Sequence, residues 1–318
     1  MTPMTIAHLS DFHLSAEHRR NHIRRTRRAL DYVKSLNVDH IIVTGDITAN
    51  GHPADYRIAR SLFASAGLLE SKKMTVTIGN HDVFGGVHTA EDVLTFPNQC
   101  KATDYKAKVR EFGCAFRETF DFTLRQSEKR FFPFAKIIGD VALIGVNTVA
   151  EYSRFKNPIG SNGGVDDKSF EHLVELLESP LLGTKRRIVA LHHHFCRLGD
   201  VRPGTIHSVW GAIERHTMKL RGKSRLLKLF ARTKVELVLH GHVHESHEYL
   251  RDGVRFLNAG GSVLHDQSPD LHVNIVRLTD TGCFTEIHKL SASQTVVLPR
   301  AGATSLLPSD RESRHEAA

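Results

Sequence analysis

Six short runs rich in Ile, Val and Leu recur along this chain, and each is too short to form a helix. They occupy residues 5–10, 40–44, 74–78, 141–146, 188–191 and 235–240. Continuous apolar runs of this length fit strands buried on both faces, as parallel strands are. Helical spacing lies between several of them. Ile23, Leu30 and Val33 share a face within 16–36, and Phe170, Leu173, Leu176 and Leu177 do so within 167–179. Strand and helix alternating in this way specify an α/β architecture. Beyond Val254 the pattern changes. Residues 254–258, 272–278 and 284–289 read as successive strands with turn residues such as Asp280-Thr281-Gly282 between them, so a mostly antiparallel end to the sheet system is expected.

At 318 residues, one large domain with insertions accounts for the length. That domain is expected over 1–298. Insertions are expected near 83–132, where no strong strand signal follows residue 82, and near 195–232, where Gly and Pro precede a basic run holding Leu226, Leu227, Leu229 and Phe230. The segment 299–318 is polar and aperiodic and reads as a disordered tail. The four cysteines form no CxxC pair, which gives neither a zinc knuckle nor a disulfide framework and fits reduced thiols. Residues 1–6 lack the charged and apolar regions of a signal peptide, and no apolar run approaches membrane-spanning length. A cytoplasmic protein is the expectation.

The chemistry resides in five polar motifs, each placed where an apolar run ends. They are Asp11-Phe12-His13, Gly45-Asp46, Gly79-Asn80-His81-Asp82, His192-His193-His194 and Gly241-His242-Val243-His244. Carboxylates, imidazoles and one carboxamide are ligands suited to two divalent cations held side by side. Asp11 and His13, one residue apart at a strand exit, can both turn toward one ion. Asp46 has two oxygens and is the natural bridge, with Gly45 allowing close backbone approach. Asn80 contributes a neutral oxygen that limits negative charge. His242 and His244 alternate on an extended segment, so each can face a different ion. Isolated Asp-x-His or Gly-Asp pairs are common by chance, and a lone buried histidine is ordinarily a packing residue. A packed core has no use for a polar cluster at the end of one apolar run after another.

The ordered set resembles the calcineurin-like metallophosphoesterase superfamily, whose pattern is D-x-H, G-D, G-N-H-[DE], H and G-H-x-H. The resemblance spans about residues 5–262. The G-N-H-D form and the triple-histidine block look most like its cyclic-nucleotide and glycerophosphodiester phosphodiesterase branch. The resemblance implies a four-layer α/β/β/α sandwich of two mixed sheets, with the site at the strand ends. Asp11, His13 and His244 would hold a first metal, Asp46 would bridge, and Asn80, His193 and His242 would hold the second. His193 aligns best with the family's His-x-Pro motif and His192 is the alternative, Phe195 standing where the family has Pro. Two divalent ions are implied, Mn or Fe first, with Zn or Co also compatible with the ligands. Hydrolysis would proceed by in-line attack of a metal-activated hydroxide, with His81 as general acid or charge stabiliser. Related lipid-precursor hydrolases carry Arg where this chain has His81, which argues against that substrate. Asn258-Ala259-Gly260-Gly261 matches a turn after the last histidines that serves either as a simple turn or as a phosphate contact.

The formal net charge of +8 favours an anionic partner: a phosphate ester, a nucleic acid or an acidic membrane surface. Six arginines between Arg19 and Arg28 crowd one helix. No aromatic residue interleaves with them, so they read as a solvated face opposite Ile23, Leu30 and Val33 rather than as a nucleic-acid surface. The expected activity is hydrolysis of a small phosphodiester. A phosphomonoesterase or nuclease on the same site is the alternative, and a binding module without activity a third.

Overall fold

The structure, a computed structural model, describes residues 2–127, 130–196, 218–244, 246–263, 270–291 and 295–298. Two mixed sheets pack face to face. The first contains β1 (Met4–Leu9), β2 (His40–Thr44), β3 (Met74–Thr77), β11 (Leu271–Thr279), β12 (Gly282–Leu290) and β13 (Thr295–Leu298), in the order β13-β12-β11-β1-β2-β3. The second contains β4 (Leu124–Ser127), β5 (Arg130–Ile138), β6 (Val141–Gly145), β7 (Arg186–Ala190), β8 (Val235–His240), β9 (Ser246–Arg251) and β10 (Val254–Ala259), in the order β4-β5-β6-β7-β8-β10-β9. Strands β1, β2 and β3 run parallel, as do β6, β7, β8 and β10; the outer strands are antiparallel.

Side-chain alternation along each strand divides the core into three layers. Ile6, Ile42, Ile188, Ala190, Leu237, Leu239, Leu257 and Val276 fill the space between the sheets. Ala7, Leu9, Ile41 and Val43 point the other way, against Leu30 and Val33 of α1 (Arg20–Ser35) and Leu62 and Phe63 of α2 (Pro53–Ser65). Val189, Val238 and Phe256 pack against Leu173 and Leu177 of α6 (Asp167–Glu178) and Leu226, Leu229 and Phe230 of α7 (Lys223–Arg232). The result is the expected α/β/β/α sandwich.

Two expectations need correction. The stretch 83–132 was to hold no strand; it holds α4 (Ala90–Ala102) and α5 (Tyr105–Ala115), but also β4 and the start of β5. Strand β5 is hidden in the sequence by Pro133 and Lys136, residues that normally interrupt a strand pattern. Strand β9 was also missed because its residues are polar and partly exposed. Residues 197–217 of the second insertion, and the tail 299–318, lie outside the described residues.

Lys136 is buried between the two sheet systems, where its Nζ donates to the carbonyls of Met74 (2.7 Å) and Thr119 (2.9 Å). Burial lowers its pKa from 10.5 to about 7. Between those values the unfolded chain binds a proton that the native state does not, so folding stability should rise with pH across that window. Chemical denaturation at stepped pH should show wild type gaining stability relative to Lys136→Met from about pH 7 upward. Parallel curves for the two proteins would show that the ammonium is not strained by burial.

Candidate metal centre

Five parallel strands end on one edge of the sandwich, and every motif residue follows one of those ends: Asp11 after β1, Asp46 after β2, Asn80 after β3, His192 after β7 and His242 after β8. Ligand sites at the carboxyl ends of parallel strands are the rule for such sheets. The chain must turn sharply there. Asp11, His13, Asp46 and His242 all have positive φ, at 57°, 44°, 48° and 70°. Left-handed backbone at four non-glycine residues in one place is strain of the kind held at functional sites. Glycines let the turns approach one another. A Cβ on Gly79 would sit 2.2 Å from Asp46 Oδ1, and one on Gly241 would sit 2.4 Å from Asp11 Oδ2.

The donors gather in two groups that share Asp46. In the first, His13 Nε2 lies 3.9 Å from Asp11 Oδ1 and 3.8 Å from Asp46 Oδ2, and His244 Nε2 lies 3.7 Å from Asp11 Oδ1. In the second, His192 Nε2 lies 3.3 Å from the same Asp46 Oδ2, 3.1 Å from Asn80 Oδ1 and 3.1 Å from His242 Nδ1. Donors bound to one ion at about 2.1 Å stand roughly 3.0–3.4 Å apart, so the second group is already at ligand spacing. Asp46 Oδ1 accepts the backbone N–H of His81 at 2.8 Å, which leaves Oδ2 facing both groups.

The residues fit a metal pair on chemical grounds. Both ring nitrogens of His13 and Nε2 of His242 are buried without a hydrogen-bond partner. His192 Nδ1 lies 2.8 Å from the Thr44 carbonyl, which can only accept, so Nδ1 carries the proton and Nε2 presents its lone pair to the site. Burial, reinforced by neighbouring imidazoles, holds His13 and His242 well below the ordinary histidine value, the neutral form that ligates. Burial opposes the charged form of Asp46, yet His192, His81 and His13 hold its carboxyl well below the usual range. Asp11 is pushed up to about 7 by burial and by Asp46. Burial lowers His192 too, but Asp46 and Asp11 outweigh it and raise that imidazole to about 9. Without a cation, a proton on His192 compensates the two carboxylates.

The structure therefore brings together Asp11, His13, Asp46, Asn80, His242 and His244, but puts His192 where His193 was expected. Strand parity is the reason. Ile188 and Ala190 face the layer between the sheets, and His192 continues that face. His193 instead sets Nδ1 2.9 Å from Thr148 Oγ1 and packs its ring on Gly163, and His194 donates from Nε2 to the Met218 carbonyl at 2.9 Å. His81 stands beside the first group, its ring 4.5 Å from that of His13, with Nδ1 3.2 Å from the Ala49 carbonyl. Asn258 donates to the Val243 carbonyl (2.7 Å) and accepts from Gly260 N (3.2 Å), so it braces the His242–His244 loop. Asp82 had no assigned role, although it completes the Gly79–Asp82 motif. Its buried carboxylate accepts from Gly79 N, Thr48 N and Thr48 Oγ1 at 2.8–3.0 Å and ties the β2 and β3 exits together.

Two open clefts of about 520 and 450 Å³ lie elsewhere, at the starts of β7 and β8. Arg187 and Lys234 line both, beside the C-terminal ends of α6 and α7. Cations there complement the negative ends of two helices, and no donor of the metal centre lines either cleft.

The sequence profile of the calcineurin-like phosphoesterases matches residues 4–246. The chain belongs to that family. Among solved structures, a purple acid phosphatase from yellow lupin (Lupinus luteus) seeds is similar at a TM-score of 0.57 and 15% identity, over 94% of this chain and 54% of that one. This chain thus spans about half the length of the lupin protein. A dimetal phosphatase from Danio rerio is similar at 0.55 and 12% identity, over 92% and 98% of the two chains. The anchor protein of the inner membrane complex of Plasmodium is similar at 0.52 and 14%, over 94% and 90%. No curated protein sequence matches the chain. At these identities the likeness is one of fold. A fold shared by phosphatases and an anchor does not by itself decide catalysis; the donor set must.

Exchange of the two neighbouring histidines separates the alternatives. His192→Ala should lose about one of two bound ions by elemental analysis, whereas His193→Ala should keep both. Metal uptake near pH 7.5 should also release protons, because His192 must give up the one it holds below about 9. Calorimetry in buffers of different ionisation enthalpy reads that release directly, and buffer-independent heats would contradict it.

Proposed function

We propose that the chain is a metal-dependent phosphodiesterase acting on a small diester, a cyclic nucleotide or a glycerophosphodiester. The observation that carries this reading is the single Asp46 oxygen facing two complete donor groups. Asp11, His13 and His244 would hold one ion, Asn80, His192 and His242 the other, and Asp46 both. When bound, two divalent ions polarise a phosphoryl group and make a water nucleophilic near neutral pH. The donors accommodate Mn, Fe, Zn or Co, with Mn or Fe the first choice.

The protein's own contribution is charge and placement. Asn80 gives an oxygen without a charge, so the site carries two carboxylates and not three. Donation from His81 Nδ1 to the Ala49 carbonyl orients the ring and leaves Nε2 to exchange a proton with the leaving alkoxide. His81 in place of arginine, with the G-N-H-D motif and the triple-histidine block, favours the diester branch. The phosphatases among the structural neighbours favour the second reading, a phosphomonoesterase on the same ligands. A complete donor set speaks against an inert binding module.

Turnover of bis-p-nitrophenyl phosphate against p-nitrophenyl phosphate, with added Mn²⁺ and a chelated control, tests the proposal. A chelator-sensitive preference for the diester is expected; a preference for the monoester would replace the diesterase by a phosphatase. Asp46→Ala should abolish turnover and metal binding together. His81→Ala should lower kcat about 10²–10⁴-fold with metal content unchanged.

A further inference from the structure

The rim of the metal centre carries a group of side chains that the reaction above does not use. His18 and Arg19 come from the segment between β1 and α1, Asn50 follows β2, and His88 follows α3 (His81–Phe84). The rings of His18 and His88 stack with centroids 4.7 Å apart and planes 28° from parallel. His88 Nε2 lies 2.6 Å from Asn50 Oδ1, which fixes the inner ring of the stack. His18 is the outer ring, its side chain 43% exposed and open to a ligand. The backbone between His81 and His88 is drawn tight against the site, since a Cβ on Gly86 would meet the His81 ring at 2.3 Å. Arg19 is within electrostatic reach of both His13 and His88. The neighbouring carboxylates leave the cluster cationic. Asp92 already accepts from the N–H groups of His88 (2.9 Å) and Thr89 (2.8 Å), and Glu17 reaches His18 only at 3.9 Å with its side chain 73% exposed.

The geometry points to a subsite, formed by His18, Arg19 and His88 beside the metal centre, for a second phosphate on the arm of the substrate that stays behind after cleavage. It rests on the phosphodiesterase reading and narrows the substrate class to diesters whose retained arm bears a further phosphate, as in the end of an oligonucleotide. A guanidinium and imidazole N–H groups on one rim match phosphate oxygens, and the exposed face of His18 offers a planar surface to a base. Head groups carrying their own positive charge, such as a choline ester, are repelled by the same rim. The sequence places no aromatic residue among the arginines of 19–28; the fold places two imidazoles beside Arg19, one of them from a distant segment.

Two p-nitrophenyl esters differing only in this feature provide the test: that of thymidine 5′-phosphate and the same ester carrying an added 3′-phosphate. With the metal-loaded full chain, the added phosphate should lower KM about tenfold with little change in kcat. Arg19→Gln and His18→Ala should each remove most of that advantage, and added salt should weaken it. Arg24→Gln, exposed on the same helix, should retain it. Equal KM values in wild type, or an advantage that survives both rim substitutions, would overturn the subsite. If neither ester is turned over, the diesterase reading fails, and calorimetry of thymidine 3′,5′-bisphosphate against thymidine 5′-monophosphate judges the subsite alone. Tighter binding of the bisphosphate that Arg19→Gln abolishes would uphold it; equal affinities would reject it.

Discussion

Asp11 and Asp46 are buried within one small volume, at 0% and 2% exposure, and each raises the energy of the other's ionised form. Carboxylates taken from water in this way are tolerated only with compensating charge and hydrogen bonds. Much of the local structure is arranged around that requirement. Asp46 receives the His81 N–H on one oxygen and faces imidazoles with the other. Asp11 receives the N–H of His242. Asp82, slightly deeper, is held by backbone donors and shapes the turns from which Asp46 and Asn80 project. A cation pair supplies the charge that these contacts leave uncompensated.

The two sheets make that concentration of polar groups compatible with a stable core. The parallel strands keep apolar residues on both faces until their last residue, and only the loops beyond carry donors. Gly45, Gly79 and Gly241 stand immediately before Asp46, Asn80 and His242 because a side chain there would strike a neighbouring loop. The backbone strain at Asp11, His13, Asp46 and His242 is sustained by the rigid strands on which these turns stand.

The parallel core was legible in the sequence because strands buried on both faces must be apolar throughout, and β2 and β8 match their expected limits. Strands β4, β5 and β9 were not legible, since their pattern is broken by Pro133, Lys136 or exposed polar residues. The site was legible as a set of motifs but not as a register. Choosing His193 over His192 followed motif alignment, whereas alternation along β7, with Ile188 and Ala190 inward, selects His192. The rim pair His18 and His88 could not be read at all, because seventy residues separate its members and only the fold brings them together.

The two donor groups also differ in access, and the difference gives the site a direction. Asp46, Asn80, His192 and His242 are all nearly inaccessible, at 2%, 6%, 0% and 4%. The first group ends instead in His244, whose side chain is 38% exposed, and stands beside the half-buried His81. An ester approaching from solvent therefore meets the side of His244, His81 and His13, the side on which Arg19 acts on His13. Entry from this side puts the phosphate between the ions with one arm near His81, where a leaving oxygen can take a proton. The other arm then extends along the rim, and the shape of that arm rather than the metal chemistry discriminates among esters that the same two ions would cleave equally well.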